Sequence, residues 1–189
     1  LTAGLKTGTV YANYTSNGDG TSGLGVYSAG SGTLNVSGSV YRLAEGTLSA
    51  TVINMGTIRA KLAVGGSSMT ITNAAANDGF SDLLRVVGSG SGGFTLNGGS
   101  VTLSSGSSAA LGISYGGDTT TVGLKSGSLF YALTSVGQSG TNLADYTLAG
   151  TMVSVSATVY RMATGTLLLS PGNILSNGAT LSLGTVRVS

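Results

Sequence analysis

The stretch Val40-Tyr41-Arg42-Leu43-Ala44-Glu45-Gly46-Thr47-Leu48 returns as Val159-Tyr160-Arg161-Met162-Ala163-Thr164-Gly165-Thr166-Leu167, 119 positions further on. The recurrence extends beyond the nonapeptide: residues 1–48 align with 120–167 without a gap, and 19 of the 48 pairs are identical. A repeat of this length constrains the chain more than any local pattern, because it defines the unit that must bury its own core. The expected organisation is one whole module flanked by two partial ones. Residues 1–43 are the C-terminal part of a repeat module, 44–162 a complete module, and 163–189 the N-terminal part of a following module. The chain is cut out of phase with its repeat and begins at Leu1, as expected of a processed product or of a segment of something longer. No secretory leader is visible at its front, so any export signal is expected to have been removed or to lie outside the segment.

Within the period the dominant pattern is alternation. Over Gly8–Ser16 the residues Val10, Ala12 and Tyr14 share one face, and the repeat places Leu129, Tyr131 and Leu133 there, so the face is expected to point inward in both copies. Thr33–Tyr41 puts Leu34, Val36 and Val40 on one side, repeated as Val153, Val155 and Val159. Further strands are expected at Thr47–Ile53, Gly56–Lys61, Ser67–Asn73, Asp82–Val87, Phe94–Leu96, Val101–Leu103 and Ala109–Tyr115, with turns at Asn17-Gly18-Asp19-Gly20 and Asp78-Gly79. No window shows a helical period. Many short strands separated by Gly, Ser and Asn turns indicate an all-β chain of tandem immunoglobulin-like antiparallel β-sandwich modules. A parallel β-helix is the alternative, because Gly98–Leu103 and Asn177–Leu183 resemble its rungs; the absence of a short rung-length period weighs against it. After Leu167 the second copy carries about nine extra residues, including Pro171, before Gly184-Thr185-Val186-Arg187 meets the counterpart Gly56-Thr57-Ile58-Arg59. That insertion is expected to form a protruding hairpin or an edge-blocking loop.

Charged residues make up only 7% of the chain while 41% is apolar, so the surface must be neutral and hydroxyl-rich rather than disordered. The eight basic residues are scattered and the net charge is +2, which gives no stripe to follow phosphates and makes nucleic acid an unsuitable partner. No apolar run approaches the roughly 18 residues of a membrane helix, and the 6% aromatic content lacks the clustering of an outer-membrane barrel's girdles. The 33 glycines would cost on the order of 15–30 kcal/mol if all lay inside regular elements, so most are expected in turns and bulges. Gly88-Ser89-Gly90-Ser91-Gly92-Gly93 reads as a linker that only an external contact would order.

The chemistry available is narrow. With no His and no Cys there is no Ser-His-acid triad, no cysteine nucleophile, no disulfide and no ordinary zinc site. No Ser lies three residues before Lys6, Lys61 or Lys125, so the Ser-x-x-Lys arrangement is also missing. Asp78 and Asp82 could meet as paired carboxylates, but nothing around them suggests a sugar cleft. Asn17, Asp19 and Thr21 resemble the start of a calcium loop without its downstream Glu, and a plain turn is the simpler reading. The chain is therefore expected to be no enzyme and to hold no cofactor or metal. Asn13-Tyr14-Thr15 and Asn35-Val36-Ser37 match the N-glycan acceptor pattern, which Asn- and Thr-rich chains also produce by chance. A Lys–Asn isopeptide bond of the kind surface sandwiches can carry would show as loss of one ammonia from the intact mass.

Thr70-Ile71-Thr72-Asn73 with Asn77-Asp78-Gly79-Phe80-Ser81-Asp82-Leu83, then Thr21-Ser22-Gly23-Leu24-Gly25, and Val40-Tyr41-Arg42-Leu43-Ala44 resemble the tandem immunoglobulin-like repeats of bacterial exported choice-of-anchor D proteins. The resemblance covers essentially the whole chain and rests on turns and strand ends in fixed order. It implies a large secreted or surface-anchored protein built of β-sandwich repeats, with no ligand or active site to carry over.

Tyr41-Arg42 and Tyr160-Arg161 end the clearest strand in each copy and are the candidate module-junction residues, the ring packing on the next module and the guanidinium reaching carbonyls or a ring face. The expected function is that of an extracellular structural protein, a subunit or repeat segment of a bacterial surface filament or matrix. Its partner would be a further copy of itself, joined head-to-tail through β-strand edges. The alternative is a cell-surface adhesin or carbohydrate-binding repeat, with surface glycans as partner and a platform drawn from Tyr11, Tyr14, Tyr27, Tyr115, Tyr131 and Tyr146.

Overall fold

The computed structural model describes residues 1–62, 65–165, 167–169, 173–175 and 187. Period-two patterning is realised throughout, and no helix occurs among the described residues. The chain opens with two long strands, β1 (Gly4–Gly18) and β2 (Leu24–Val40), which among the described residues pair only with each other. Then follow β3 (Gly46–Leu48), β4 (Val52–Arg59), β5 (Ser67–Asn73), β6 (Leu83–Gly90), β7 (Phe94–Asn97) and β8 (Ser100–Leu103). After these come β9 (Ser108–Tyr115), β10 (Gly123–Val136), β11 (Tyr146–Thr147) and β12 (Thr151–Tyr160). A last backbone hairpin pairs β13 (Leu167–Leu169) with β14 (Asn173–Leu175), inside the stretch expected to insert a hairpin. The expected match of Gly184-Thr185-Val186 to β4 lies outside the described residues.

Strands β3 to β12 form an immunoglobulin-like β-sandwich. One sheet has the order β3-β5-β9-β7 and the other β4-β12-β10-β6-β8, with β11 on the far end of β10. The two inner faces share one core, in which Ile71, Ile113, Leu129, Val153 and Ala157 are fully buried. Across it the Tyr131 hydroxyl reaches the Met69 sulfur at 3.4 Å, and burial pushes the Tyr131 pKa up to about 12. The parallel β-helix is thereby set aside, since two facing sheets replace a coil of rungs. One element departs from an all-antiparallel sandwich: β4 runs parallel to β12. The N-terminal strand is split, β3 joining one sheet and β4 the other, and the rest of the module lies between β4 and β12, long enough to permit a parallel neighbour.

Two expectations about glycine require correction. Gly56 does not separate two strands; it lies within β4 at a φ of 79°, and a register shift against β12 falls between Ser156 and Thr158, so the residue is a bulge. The Gly88–Gly93 stretch is not ordered from outside. Gly88 and Gly90 belong to β6 and pair with Tyr131 and Leu129 of β10. A Cβ on Gly90 would strike the Phe94 carbonyl oxygen, and one on Gly127 the Ser91 carbonyl oxygen, so absent side chains let β6, β10 and the 91–94 turn close on one another. The Ser91 hydroxyl accepts from the Ser128 amide at 3.1 Å and bridges to the Ser128 hydroxyl at 3.0 Å, stitching the same contact.

The β1–β2 pair reproduces the repeat in three dimensions. Gly4↔Val40, Val10↔Leu34 and Ala12↔Gly32 match Gly123↔Val159, Leu129↔Val153 and Tyr131↔Thr151, each exactly one period earlier, and Thr15↔Ser28 matches Thr134↔Thr147. Gly4 and Gly123 even share a φ of 122° and 119°. Burial differs completely. Leu129 and Val153 are 0% exposed, whereas their counterparts Val10 and Leu34 are 52% and 62% exposed, so the face expected to point inward in both copies is covered in only one. The cause is that no described strand packs against β1 or β2.

Close backbone approach at Gly90 leads to a prediction. Gly90→Ala should destabilise the sandwich by roughly 1–3 kcal/mol, whereas Gly116→Ala, whose Cβ meets nothing, should be near neutral. Thermal melts of the two variants give the comparison, and equal melting temperatures would contradict the packing described.

Candidate functional site

Tyr41 and Arg42 follow the last residue of β2, where extended chain passes from the hairpin to the sandwich. Continued extension lets Arg42 act as a one-residue strand: its amide donates to the Phe80 carbonyl at 2.9 Å, its carbonyl accepts from the Asp82 amide at 3.0 Å, and it forms a parallel bridge with Ser81. The side chains enlarge this seam. The Tyr41 ring lies 5.7 Å from that of Phe80, tilted by 53°. The Arg42 Nη1 sits 2.9 and 2.8 Å from the two Asp78 carboxylate oxygens and donates to the Ser81 hydroxyl at 3.0 Å and the Ala76 carbonyl at 3.3 Å. The 76–82 turn is prepared for this. Asp78 Oδ1 accepts from the Phe80 amide at 3.0 Å, and the Ser81 hydroxyl donates to the Ala76 carbonyl at 2.6 Å. The Phe80 amide and then the Arg42 guanidinium hold the Asp78 carboxyl below its ordinary pKa of 3.8. The ion pair is solvent-exposed, so its energetic weight is small and its value is directional.

Immediately downstream, the backbone is held by buried polar side chains. The Ala44 amide donates to the Ser135 hydroxyl at 2.8 Å, which in turn donates to Asp82 Oδ2 at 2.8 Å. Asn73, fully buried, accepts from the Glu45 and Ala75 amides at 3.1 and 3.3 Å and donates to the carbonyls of Asp82 and Leu103 at 3.1 and 3.3 Å. One amide group thus binds the incoming chain to both sheets. Its neighbour Asp82 keeps Oδ1 buried and without a hydrogen-bond partner among the described residues.

The second Tyr-Arg pair is elsewhere. Ala44 meets β10 at Ser135, while β12 pairs Val159 with Gly123 at the other end of β10. Twelve residues of strand separate these two points, roughly 40 Å. Tyr160 is 57% exposed, its carbonyl accepting from the Ala60 amide at 2.8 Å. With Arg59, Arg161 and Met162 it lines an open cavity of about 490 Å³. The four expected residues therefore do not converge: Tyr41 and Arg42 lie at one end of the sandwich, Tyr160 and Arg161 at the other. The residues that receive Tyr41 and Arg42 went unassigned in the sequence, although Asn73 and Asn77–Leu83 lie in the motifs of the family resemblance. Ser135 also carried a signal, being identical to Ser16 across the repeat.

Other candidates resolve into local structure. Asp78 and Asp82 take different partners and form no carboxylate pair. Asn17 Oδ1 accepts from the Asp19 amide at 2.9 Å, a side-chain-closed turn rather than an open ligand set. The tyrosines form no single platform, because Tyr115 and Tyr131 are buried in the core while Tyr11, Tyr14 and Tyr27 lie on the hairpin. The pair Arg85–Asp145 at 3.0 Å joins β6 to the loop before β11. Thr120 and Thr121 hydrogen bonds hold the Asp118 carboxyl well below its usual pKa, with Lys125 3.6 Å away.

No known protein family's sequence profile matches the chain, and no curated protein does. Several solved structures resemble it. A PapD-like domain of human CEP192 aligns with a TM-score of 0.48 at 10% identity, over 64% of this chain and 89% of that one. A chain from the Salmonella enterica SafA pilin–SafB chaperone complex aligns with a TM-score of 0.47 at 15% identity, over 67% and 60%. The E. coli chaperone DraB gives 0.43 at 12%, over 66% and 60%, so the chain spans about three-fifths of the bacterial structures' length. These are likenesses of β-sandwich architecture.

Three measurements test the seam. Asn73→Ala should cost roughly 2–4 kcal/mol, because it strands several buried amides and carbonyls, as read by chemical denaturation. Arg42→Ala should speed hydrogen exchange at the Asp82 amide without lowering the sandwich's melting point appreciably. Because the folded pKa of Asp78 is depressed, its contribution is present above the unfolded value and lost as pH falls through the lower folded value. Acid should therefore loosen the seam below the ordinary 3.8, and Asp78→Asn should remove that pH dependence.

Proposed function

We propose that this chain is an extracellular structural protein, a subunit or repeat segment of a bacterial surface filament or matrix, in which β-sandwich modules follow one another head-to-tail. In this reading residues 1–43 close one module, 44–162 are a complete module, and 163–189 open the next, in the manner of choice-of-anchor D repeats. The observation that carries it is polar geometry: the chain enters the sandwich at the Ser135 end of β10 and leaves from the Gly123 end, roughly 40 Å away, with a Tyr-Arg pair at each passage. A module that receives chain at one end and releases it at the other propagates along a line. The 76–82 turn is the socket, Tyr41 and Arg42 the plug, and Tyr160 and Arg161 the plug for a further socket. A surface poor in charge and rich in hydroxyls suits a packed matrix, where module faces meet without burying ions.

Negative-stain microscopy of the purified chain tests this reading. Fibres or ordered arrays are expected, with an axial repeat set by the module, and dispersed particles at every concentration would overturn it. Replacing both Arg42 and Arg161 by Ala should change fibre pitch or stiffness while the sandwich melts nearly as before. If the 189 residues are a window of one long polypeptide, native material will run far above 18.4 kDa on a denaturing gel.

A further inference from the structure

Of the ten asparagines in the chain, only Asn13 and Asn35 are followed two residues later by a hydroxyl, in Asn13-Tyr14-Thr15 and Asn35-Val36-Ser37. Residues two apart in a strand share a face, so each amide stands beside its own hydroxyl, and all four side chains are exposed. Asn35 pairs across the ribbon with Thr9, four residues before Asn13 on β1, and no register shift intervenes. The two amides therefore lie on one face, roughly 14 Å apart. The repeat shows which face this is. The counterparts of Asn13 and Asn35 are Ala132 and Ser154, on the exposed outer side of the sandwich, whereas the strand neighbours Leu133, Val153 and Val155 are buried within it. Asn13 and Asn35 thus occupy outward positions whether or not the opposite face of the ribbon is covered.

We infer that Asn13 and Asn35 are acceptor sites for N-linked glycans, both projecting from the outer face of the β1–β2 ribbon. An Asn-x-Ser/Thr triplet offers a transfer enzyme an amide together with a hydroxyl, and it can be modified only where both reach solvent. In the reaction the Asn Nδ2 bonds to C1 of a sugar carried as a glycosyl diphosphate. The C1–O bond breaks, the diphosphate leaves with the electron pair, and Nδ2 gives up one proton. Three features support the assignment. The Thr9 hydroxyl donates to Asn35 Oδ1 at 3.1 Å, so the hydrogen bond that orients this amide engages its oxygen and survives substitution at the nitrogen. Ala132 and Ser154 at the counterpart positions show that the fold itself does not require an amide at either place. The face between the two sites presents Thr9, Tyr11 and Thr33 and no charged side chain, so a neutral glycan can lie against it without desolvating an ion. The inference goes beyond the filament reading and stands apart from it, since it concerns one face of one ribbon.

Mass spectrometry of native material, digested and fragmented by electron transfer so that glycans stay attached, tests both sites. Peptides spanning Asn13 and Asn35 should each carry sugar localised to the asparagine, and enzymatic release should leave aspartate in its place. In the producing organism, Asn35→Gln should remove one glycan from the intact mass. Ser37→Ala should remove the same glycan although Asn35 remains, and Asn97→Gln, with Gly99 two residues on, should remove none. These masses do not depend on how well a variant folds. Bare asparagines at both sites would overturn the proposal. So would sugar localised instead to the Ser or Thr hydroxyls of the same peptides, or a glycan on Asn35 that persists in Ser37→Ala. Microscopy of the same material keeps the two readings separate: glycosylated but dispersed particles reject the filament reading alone, and fibres of bare chain reject this one alone.

Discussion

A buried primary amide is tolerable only when its donors and acceptor are all engaged, and Asn73 meets that condition at the point where the chain joins the sandwich. Its four hydrogen bonds take in Glu45 and Ala75 on one side and Asp82 and Leu103 on the other, so the start of the first strand, β6 and β8 are set relative to one another by a single side chain. The Ser135–Asp82 link adds β10 to the same node. Once that node is formed, the 76–82 turn stands in place to take Arg42, and the direction in which the preceding hairpin leaves is constrained.

The node and the seam divide stability from geometry. Buried, fully engaged amide and hydroxyl groups secure the module, whereas the Arg42–Asp78 pair is exposed and contributes mainly by fixing an angle. A ring contact between Tyr41 and Phe80 and two backbone hydrogen bonds at Arg42 give that angle its rigidity. This separation suits the head-to-tail arrangement proposed above, since such a joint could be tuned by a few side chains without disturbing the core of the sandwich.

Glycine plays two parts that composition alone merges. At Gly56 a left-handed backbone permits a bulge in β4; at Gly90 and Gly127 the missing side chain permits contact between segments that any Cβ would hold apart. The second role explains how a stretch with a linker's composition forms part of a central strand. The hairpin illustrates the converse. Its residues have the pattern and register of core strands, yet Val10 and Leu34 remain open to solvent, because alternation specifies which side chains share a face and not whether anything covers it.

The sequence by itself determined the all-β character, the 119-residue recurrence, most strand positions and the recurrence of the Tyr-Arg pairs, because periodicity and recurrence are properties of neighbouring residues and of self-comparison. Only the tertiary structure decided that β4 runs parallel to β12, that Gly56 bends a strand instead of ending one, and that Gly88–Gly93 is packed within the sandwich. It also brought Asn73, Phe80, Ser81, Asp82 and Ser135 together around residues 41–45 and set the two Tyr-Arg pairs at opposite ends of β10. These outcomes depend on which distant segments meet and how closely. A local pattern of apolar and polar residues is compatible with several such pairings, and the close-packed core and the engagement of its buried polar groups select among them.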